Sequence, residues 1–327
     1  MPTAVSLFSG CGGSDAGLIK SGFEVLMAND ILPYAKDVYL ANQHQTDYVL
    51  EDIRKIGSFP VADLLVGCYP CQGFSQGGAR QADRKINYLY KEFARALSIV
   101  RPKAFIVENV SGMRNSTFKH ILADQLSSFS NATEIGYNVV WQELKAHDYG
   151  LPQERKRLIL VGIRNDFGME YSFPKPTHGI DADNPYITIK DALSGLPEWP
   201  TGEYCEDIFH WYYLSRNRRR DWLEVSKTIV SNMRHMPLHP ISPLLEKVKE
   251  DEWRFINDKP ARRFSFREAA RLQGFTKDYT NHGNDMIFPE VDYLTPSTLL
   301  RERYKVVGNA VPPPLFEAVV NNIPHIW

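Results

Sequence analysis

The chain has 327 residues, of which 43% are hydrophobic and 24% charged, a composition typical of a folded protein with one large α/β domain or two domains of unequal size. No apolar run approaches the roughly 18 residues that a membrane helix needs, and the N-terminus lacks a basic segment followed by a long apolar stretch; we expect neither a membrane protein nor a secreted one. Four cysteines are too few for a disulfide scaffold at this length, which favours a reduced, cytoplasmic location.

The net charge of −1 hides an uneven distribution along the chain. Residues 1–60 carry a local net charge of −3, whereas residues 210–240 carry six basic and two acidic side chains, a local net charge of +4. A near-neutral chain with one basic, aromatic-rich segment favours binding of a polyanion at a single face. A solvated charged surface is the alternative interpretation of this segment.

Apolar runs of strand length alternate with helical patterns over the first 165 residues. Strands separated by helices predict an α/β fold with a mostly parallel sheet and helices on both faces. Beyond this region, prolines and scattered aromatic residues predict a smaller, irregular second domain, with helical patterning again at 265–274 and after Pro312. The strands predicted in the first region are 4–8, 23–28, 63–66, 104–107 and 158–161, and the clearest helical periodicity covers 88–100.

A glycine-rich turn, Phe8-Ser9-Gly10-Cys11-Gly12-Gly13, lies where the first strand passes into the first helix. Glycines at this point let the backbone approach a ligand and leave helix N–H groups free to bind it. Asp30 ends the second strand, where a carboxylate can accept hydrogen bonds from ribose hydroxyls. The pair predicts a nucleoside-containing cofactor, but Asp15 stands where the dinucleotide-binding pattern needs its third glycine, which disfavours NAD. A tight turn without a ligand is the alternative.

The segment Cys68-Tyr69-Pro70-Cys71 allows three interpretations. It could be a thioredoxin-like redox pair, half of a zinc site completed by His235 and His239, or a loop that holds Cys71 as a lone nucleophile. The zinc site lacks a second closely spaced pair in the usual order. A redox pair requires a thioredoxin-sized unit, which the N-terminal half far exceeds. The nucleophile is therefore the favoured interpretation.

Charged side chains beside other strands support a nucleophile at position 71. Glu108 follows directly on the fourth predicted strand, and Arg155 and Arg157 precede the fifth. Residues that follow different parallel strands meet at one edge of a sheet, so we expect Glu108, Cys71 and Asp30 to converge there, with an arginine nearby. A turn carboxylate and a solvated charged turn are the alternatives for these side chains.

The complete set of motifs resembles the C5-cytosine DNA methyltransferase family, in the family's order and spacing and over nearly the whole chain. Each motif alone is weak, whereas the set is specific. The motifs are Phe8-x-Gly10-x-Gly12-Gly13, Pro70-Cys71-Gln72, Glu108-Asn109-Val110, Gln153-x-Arg155-x-Arg157, Arg267-Glu268-Ala269-Ala270-Arg271-Leu272-Gln273-Gly274-Phe275 and Tyr304-Lys305-Val306-Val307-Gly308-Asn309-Ala310-Val311-Pro312.

The resemblance implies the activity and the catalytic residues. A methyl group would pass from S-adenosylmethionine to C5 of a cytosine in double-stranded DNA, leaving S-adenosylhomocysteine, without a metal. Cys71 would add to C6 of the base, and Glu108 would bind N3 and the exocyclic amine. Arg157, together with Arg155, would hold O2. These atoms are out of reach in a stacked duplex, so the target base must be flipped out.

The resemblance also implies a Rossmann-like domain organisation and a set of cofactor contacts. We expect a catalytic domain over 1–170, a target-recognition domain over 171–287, and a C-terminal segment over 288–327 that returns to the catalytic domain. Asp30 stands where many members of the family have Glu, and Ala310 where others have Ser. The implied cofactor contacts are Phe8, Gly10, Gly12, Gly13, Asp30, Ile31, Asp52, Ile53, Tyr69, Leu89 and Asn309.

The recognition region is similar to that of enzymes that methylate GGCC-like sites. Its arginines can pair with guanine in the major groove or clamp phosphates. We expect a monomer, with a cognate restriction endonuclease as a partner that acts on the same site without direct contact. The implied DNA contacts are Gln72, Ser75, Arg216, Arg218, Arg219, Arg220, Lys227 and Arg234.

Three other functions fit the sequence less well. The RNA-directed branch of the family, which methylates a transfer-RNA loop, carries a Cys-Phe-Thr signature, whereas here Glu206 and Asp207 follow Cys205. A non-catalytic DNA-binding regulator would not be expected to keep Cys71, Glu108 and Arg157 together. A nicotinamide oxidoreductase is disfavoured by the glycine pattern and by the lack of a hydride-handling motif.

Overall fold

Seven strands form one sheet in the computed structural model, which describes residues 1–43, 46–70, 88–114, 118–216 and 218–327. Five neighbouring strands run parallel, and the sheet is completed by an antiparallel strand and a last strand paired with it. The α/β class and the mostly parallel sheet are therefore confirmed. The order across the sheet is β3 (Asp47–Leu50), β2 (Glu24–Asp30), β1 (Thr3–Leu7), β4 (Leu64–Gly67), β5 (Ala104–Val110), β8 (Lys156–Arg164) and β6 (Tyr137–Lys145).

Helices cover both faces of the sheet, as the alternation of side chains along β1 shows. Val5 and Leu7 lie in an apolar cluster with Phe93 and other residues of two helices. Ser6 points to the opposite face, where it donates a hydrogen bond to Asp15 of a third helix. The helices that accompany the sheet are α1 (Gly13–Lys20), α2 (Pro33–Asn42), α3 (Tyr90–Val100), α4 (Lys119–Ser130) and α9 (Pro313–Asn321).

Two strands of the sheet were not predicted, and both lie at its edges. Three of the nine residues of β6 are exposed, including Trp141, and only two are buried, so this strand lacks the long buried apolar run of a central strand. The predicted strand at 104–107 also continues to Val110, because β8 pairs with it over its full length. Glu108 therefore lies within β5, where the sequence predicted it just after the strand.

The chain forms two compact units, with the sheet in unit 1. Unit 2 is largely irregular, as predicted, and its longer helices are α7 (Phe266–Leu272) and α8 (Pro296–Asn309). No helix within the described residues is long and apolar enough to cross a membrane. Unit 1 comprises residues 1–145, 156–175 and 313–327, and unit 2 comprises 146–155 and 176–312. The short elements of unit 2 are β7 (Gln153–Glu154), α5 (Ile189–Leu193), α6 (Trp211–Leu214), β9 (Ser226–Lys227), β10 (Leu245–Lys249) and β11 (Glu252–Phe255).

These units differ from the expected domains at three places, of which the smallest is residues 171–175, which belong to unit 1. Residues 288–312 belong to unit 2, because α8 packs against α7 there. Residues 146–155 also belong to unit 2, because β7 pairs with β9. The helix α7 follows the predicted pattern at 265–274 and begins with a capping box between Ser265 and Glu268. The sequence did not predict α8, whose mixed polarity leaves no clear periodicity.

We expect Gly17→Ala to lower the free energy of unfolding by about 1–2 kcal/mol, although alanine is the better helix former. A Cβ at Gly17 in α1 would lie 2.9 Å from the carbonyl oxygen of Pro313 and 3.0 Å from the backbone nitrogen of Glu317, both in α9. Urea unfolding measures the effect. Gly57→Ala is the control, because no atom of the described residues lies within 4 Å of its added Cβ. Equal stability of the two variants would contradict the close packing of α1 on α9.

Candidate active site

The glycine-rich turn between β1 and α1 adopts a conformation that side chains rarely allow. Gly10 and Gly12 have φ angles of +54° and +89°, and Phe8 is also left-handed, at +59°. A Cβ on Gly12 would lie 2.8 Å from the ring of Tyr39, whereas no described atom lies within 4 Å of the same position on Gly10. Packing therefore requires glycine at position 12, and the space beside Gly10 is open to a ligand.

Asp30 at the end of β2 holds this turn in place. Its Oδ2 accepts a hydrogen bond from the N–H of Gly10 at 3.0 Å, and its Oδ1 accepts from the N–H groups of Ile31 and Leu32. Tyr48 donates to the carbonyl oxygen of Gly10 from the neighbouring strand, at 2.9 Å. The structure thus brings together Gly10, Asp30 and Ile31. Ile31 is 61% exposed, so a flat ring could pack against its side chain.

Asp15 is fully buried beneath the turn and anchors α1 to the sheet. Its carboxyl accepts hydrogen bonds from the hydroxyls of Ser6, Ser14 and Tyr39. Burial raises the pKa of Asp15 above its usual range. Sequence reasoning recognised Asp15 only as a departure from the dinucleotide pattern. In the dinucleotide-binding pattern this position is a glycine, which allows close packing of the helix. In this structure the position is occupied by Asp15, whose carboxyl anchors the helix.

Three further residues assigned to the cofactor lie at other points of unit 1. Asp52 caps a short turn and accepts hydrogen bonds from Arg54, whose guanidinium lowers the pKa of the Asp52 carboxyl to about 2. Ile53 is buried beside it, and Leu89 is half-buried immediately before α3. The contacts of Asp52, Ile53 and Leu89 with a cofactor stay predictions.

Glu108 and Arg157 form an ion pair between β5 and β8, with 2.6 Å between Oε1 and Nε. The register explains the contact: Arg157 pairs with Val110, and side chains two residues apart on a strand share one face. Both side chains are mostly buried, yet each remains partly accessible, at 11% and 13%. Low accessibility strengthens the electrostatic interaction, and the small accessible part of each side chain can still be reached by a small polar group.

The chain leaving β4 passes close to this pair. Burial, followed by the charge of Glu108, raises the pKa of the Cys68 thiol well above its usual range, so Cys68 stays protonated and unreactive. The ring of Tyr69 meets that of Phe8 edge to face, 6.0 Å between centroids. The predicted nucleophile Cys71 and the predicted DNA contacts Gln72 and Ser75 lie outside the described residues.

A family model for C-5 cytosine-specific DNA methylases matches residues 3–325 of the chain. The chain belongs to this family. Curated relatives include the type II methyltransferases M.BspRI of Lysinibacillus sphaericus, 37% identical over 93% of this chain and 70% of that protein, and M.NgoPII of Neisseria gonorrhoeae, 35% identical over 94% and 91%. The protein is therefore a DNA (cytosine-5-)-methyltransferase, as the sequence motifs predicted.

Solved structures share the fold of this methyltransferase. A DNA modification methyltransferase encoded within an E. coli prophage superposes with a TM-score of 0.70, at 21% identity and 98% coverage of both chains. The Dnmt2 methyltransferase of S. pombe gives a TM-score of 0.66, at 16% identity, with 98% and 97% coverage. At these identities the likeness concerns the fold alone.

Arg155 lies in unit 2 of the methyltransferase and is 1% exposed. Its terminal nitrogens donate to the backbone carbonyls of Ile229, Gly308 and Ala310, at 3.1, 3.2 and 2.9 Å. Arg157, two residues later, belongs to unit 1 and pairs with Glu108. The predicted contact of Arg155 with the base stays a prediction, and the contacts seen stabilise unit 2.

The end of α8 is fixed by close backbone packing within unit 2. A Cβ on Gly308 would lie 2.2 Å from the carbonyl carbon of Val230, so no larger residue fits there. Asn309, the next residue, is exposed. Its predicted contact with the cofactor stays a prediction.

Arg219 and Arg218, two members of the predicted DNA-binding cluster, are engaged within unit 2. Arg219 donates to the carbonyls of Ser242 and Pro240 at 2.9 and 2.8 Å and to the carboxylate of Asp221 at 2.7 Å. Arg218 donates to the carbonyl of His235 at 2.7 Å. These contacts make Arg219 a structural residue of this segment, a role that sequence reasoning missed.

Glu154 neutralises two more of the predicted DNA contacts. Arg220 and Lys227 each lie 2.9 Å from one of its carboxylate oxygens. The position of Glu154 beside these cations depends on the pairing of β7 with β9, which brings together residues about 70 positions apart. No local pattern in the sequence indicates such a partner.

Arg216 and Arg234 are the more accessible cations of the cluster. Arg216 stacks over the ring of Tyr212, 4.8 Å from its centroid, and donates to the hydroxyl of the same residue. Arg234 pairs with Asp207, and its side chain is 59% exposed. These residues line a surface cavity together with the aromatic rings of Phe209, Tyr212 and Tyr213.

A buried charge cluster stabilises the start of α7. Both terminal nitrogens of Arg262 bind the carboxylate of Glu268, at 2.7 and 2.8 Å, and neither side chain is more than 2% exposed. Nε2 of His239 lies 3.5 Å from Glu268. Burial, and then the charges of Arg262 and Arg219, lower the pKa of His239 to about 3, so this histidine is neutral in the folded protein.

His239 should make the stability of the protein depend on pH below neutrality. Between its usual pKa of 6.5 and about 3, the unfolded chain binds a proton that the folded chain does not, so the free energy of unfolding falls as the pH decreases and is fully retained above 6.5. We expect His239→Asn to flatten this slope by up to one proton, as urea unfolding between pH 4.5 and 7.5 would show. An unchanged slope would contradict a neutral His239.

Proposed function

We propose that this methyltransferase uses S-adenosylmethionine to methylate C5 of a flipped-out cytosine in a GC-rich, GGCC-like duplex site, through a covalent bond between Cys71 and C6. The observation that carries the proposal is the partly open Glu108–Arg157 pair, in the same unit as the glycine turn and two strands from it in the sheet. A carboxyl and a guanidinium side by side match the donors and acceptors along one edge of cytosine.

The cofactor proposal rests on the chemistry of the glycine turn. The open space beside Gly10, the carboxylate of Asp30 and the exposed side chain of Ile31 suit the amino acid, ribose and adenine parts of a nucleoside. S-adenosylmethionine supplies an electrophilic methyl group on a sulfonium. Phe8, Gly12 and Gly13 would complete the wall of the site, and Tyr69, whose ring meets that of Phe8 edge to face, would line one face of the adenine.

The residues of the chain would divide the chemistry as follows. The Cys71 thiolate forms a bond to C6, and the electron pair of the C5–C6 double bond then makes C5 nucleophilic enough to take the methyl group. Glu108 binds N3 and the exocyclic amine, and Arg157 binds O2, which stabilises the negative charge that addition places on the ring. Loss of the C5 proton to a base expels the Cys71 thiolate and restores the double bond.

Unit 2 would read the DNA. Its exposed arginine and aromatic side chains around Arg216 suit phosphates and guanine edges, and the named relatives are type II methyltransferases. The GGCC-like target rests on the resemblance of this segment to recognition regions of that specificity. We further propose that the enzyme acts as a monomer and protects the site of a cognate restriction endonuclease.

Cys71→Ser should abolish methyl transfer and leave S-adenosylmethionine binding nearly intact, because the serine hydroxyl does not add to C6. With S-adenosylmethionine present, wild-type enzyme should become covalently trapped on a GGCC duplex that carries 5-fluorocytosine, because C5 then has no proton to lose, and the variant should not. Radiolabelled methyl transfer, calorimetric cofactor binding and denaturing gels measure the three effects.

Cys205→Ala is the matched control, since this buried thiol in unit 2 takes no part in the proposed chemistry. Substantial turnover by Cys71→Ser would contradict the covalent mechanism. Trapping only on duplexes that lack GGCC would refute the target assignment and leave the mechanism standing.

Arg216→Ala should weaken DNA binding and reduce the slope of log K against log salt by about one, because one phosphate contact is lost. Arg219→Ala should instead lower the free energy of unfolding by roughly 2–4 kcal/mol, because two backbone carbonyls and Asp221 lose their partner. Filter binding at several salt concentrations and urea unfolding separate the two roles. The reverse pattern would show that Arg219, not Arg216, faces the DNA.

A further inference from the structure

Residues 51–59 form an irregular segment between β3 and β4 and carry two of the expected cofactor contacts, Asp52 and Ile53. The N–H of Glu51, the first residue of the segment, donates to the carbonyl of Asp30 at 3.2 Å. The segment therefore begins beside the residue that we propose for the ribose. Because β3 has ended at this point, the path of the chain past Asp52 depends on contacts other than strand pairing.

Arg95 in α3 binds both ends of the short turn in this segment. Its Nη2 donates to the carbonyl of Ile53 at 2.8 Å, and its Nη1 donates to the carbonyl of Ile56 at 2.9 Å. Its Nε donates to the carboxylate of Glu92, about one helical turn earlier, at 2.8 Å. The guanidinium also lies over the ring of Phe59, 5.8 Å from its centroid. One planar group is thus fixed by its own helix and holds the turn at two points.

The helix that carries Arg95 is a rigid support for these bonds. Phe93 and Leu97 of α3 are fully buried in the apolar cluster beside the sheet. Among the described residues, Arg95 is the one side chain outside the segment 51–59 that hydrogen-bonds to residues 52–59. Ile53 packs into the same cluster, but apolar packing is non-directional, whereas hydrogen bonds to carbonyls fix how the turn is oriented.

The carboxylate of Asp52 follows the orientation of this turn. It accepts hydrogen bonds from the N–H of Arg54 at 3.0 Å and from Nε of the same residue at 2.9 Å, and the carbonyl of Asp52 accepts from the N–H of Lys55 at 2.8 Å. All of these partners belong to the turn itself. The side chain of Asp52 remains 17% exposed, so an outside donor can still reach it.

We propose that Arg95 is a positioning residue for the adenine of S-adenosylmethionine, acting through the turn that follows Asp52. The guanidinium holds the backbone on both sides of the turn, so the Asp52 carboxylate is already in place to accept a hydrogen bond from the adenine amine. The inference rests on the proposed cofactor and on the contact that the resemblance implies for Asp52. Because Arg95 acts through main-chain carbonyls at the cofactor side, its effect should appear in cofactor affinity and base preference.

The test compares the dissociation constants of two cofactor analogues, measured by calorimetry. S-adenosylhomocysteine carries an amine on C6 of its purine, whereas S-inosylhomocysteine carries an oxygen there, which cannot donate to a carboxylate. Wild-type enzyme should therefore prefer the adenine analogue by roughly tenfold or more.

Arg95→Lys keeps the positive charge, but an ammonium group cannot bind two carbonyls and Glu92 in one plane. This variant should bind S-adenosylhomocysteine roughly tenfold more weakly and lose most of the preference for adenine. Its kcat at saturating S-adenosylmethionine should stay close to that of wild type, because Glu108 and Arg157 are held by β5 and β8.

Asp52→Asn completes a double-mutant cycle with Arg95→Lys. A neutral amide accepts a weaker hydrogen bond than a carboxylate, so this variant should also lose preference for adenine. The double variant should show no further loss of preference beyond Asp52→Asn alone, because both changes act on the same contact. Additive losses of preference would contradict an action of Arg95 through Asp52.

Arg164→Lys is the matched control. Arg164 donates to the carbonyl of Arg101 at 2.9 Å, pairs with Asp166 at 2.8 Å and lies 5.3 Å from the ring centroid of Phe167. It repeats the three kinds of contact that Arg95 makes, but beside the start of β5, at the opposite edge of the sheet from the site. The variant should lower the Tm and leave both dissociation constants unchanged.

Equal weakening of the two analogues in Arg95→Lys would overturn the inference, because the guanidinium would then only stabilise the segment. An unchanged preference for adenine in this variant, or an equal loss of preference in Arg164→Lys, would overturn it as well. If the wild-type enzyme binds neither analogue, or binds both alike, the proposed cofactor site fails before any variant is measured, and the inference falls with it.

Discussion

The parallel order of β3, β2, β1, β4 and β5 is the constraint on which the candidate site depends. Parallel strands place all of their carboxyl ends at one edge, so the glycine turn, Asp30, the chain after β4 and Glu108 come from distant parts of the sequence to one side of the sheet. The antiparallel β8 adds its first residues to the same edge, and Arg157 is among them. One sheet thereby supplies both the groups proposed to bind a nucleoside and those proposed to bind a base.

Much of this edge could be predicted from the sequence, because the patterns are local. Gly12 is required because the ring of Tyr39 lies close to it, and Asp30 at the end of β2 follows Gly10 by 20 residues. The pairing of Arg157 with Glu108 was harder to predict from the sequence, since it depends on the direction and register of β8. The anchoring of Asp15 by three hydroxyls from separate elements has no local pattern at all.

The basic segment of unit 2 shows a second limit of sequence reasoning. The number of arginines in a segment gives its charge but does not show which of them are free to bind DNA. Here Arg219 binds backbone carbonyls, and Arg220 and Lys227 share the carboxylate of Glu154. An irregular chain with few strands and helices leaves many carbonyls without partners, and guanidinium groups satisfy several at once. The same residue type therefore serves as internal support and as exposed cation within a few positions.

The location of Glu108 inside β5, and not in the loop beyond it, has a consequence for turnover. Main-chain pairing with β8 on both sides of this residue, together with its ion pair, orders the carboxylate before any substrate arrives. A catalytic group on a mobile loop loses conformational entropy each time it is aligned, which raises the activation barrier. Under the proposed mechanism the loss occurs once, during folding, and each new base meets a Glu108 carboxyl that is already aligned.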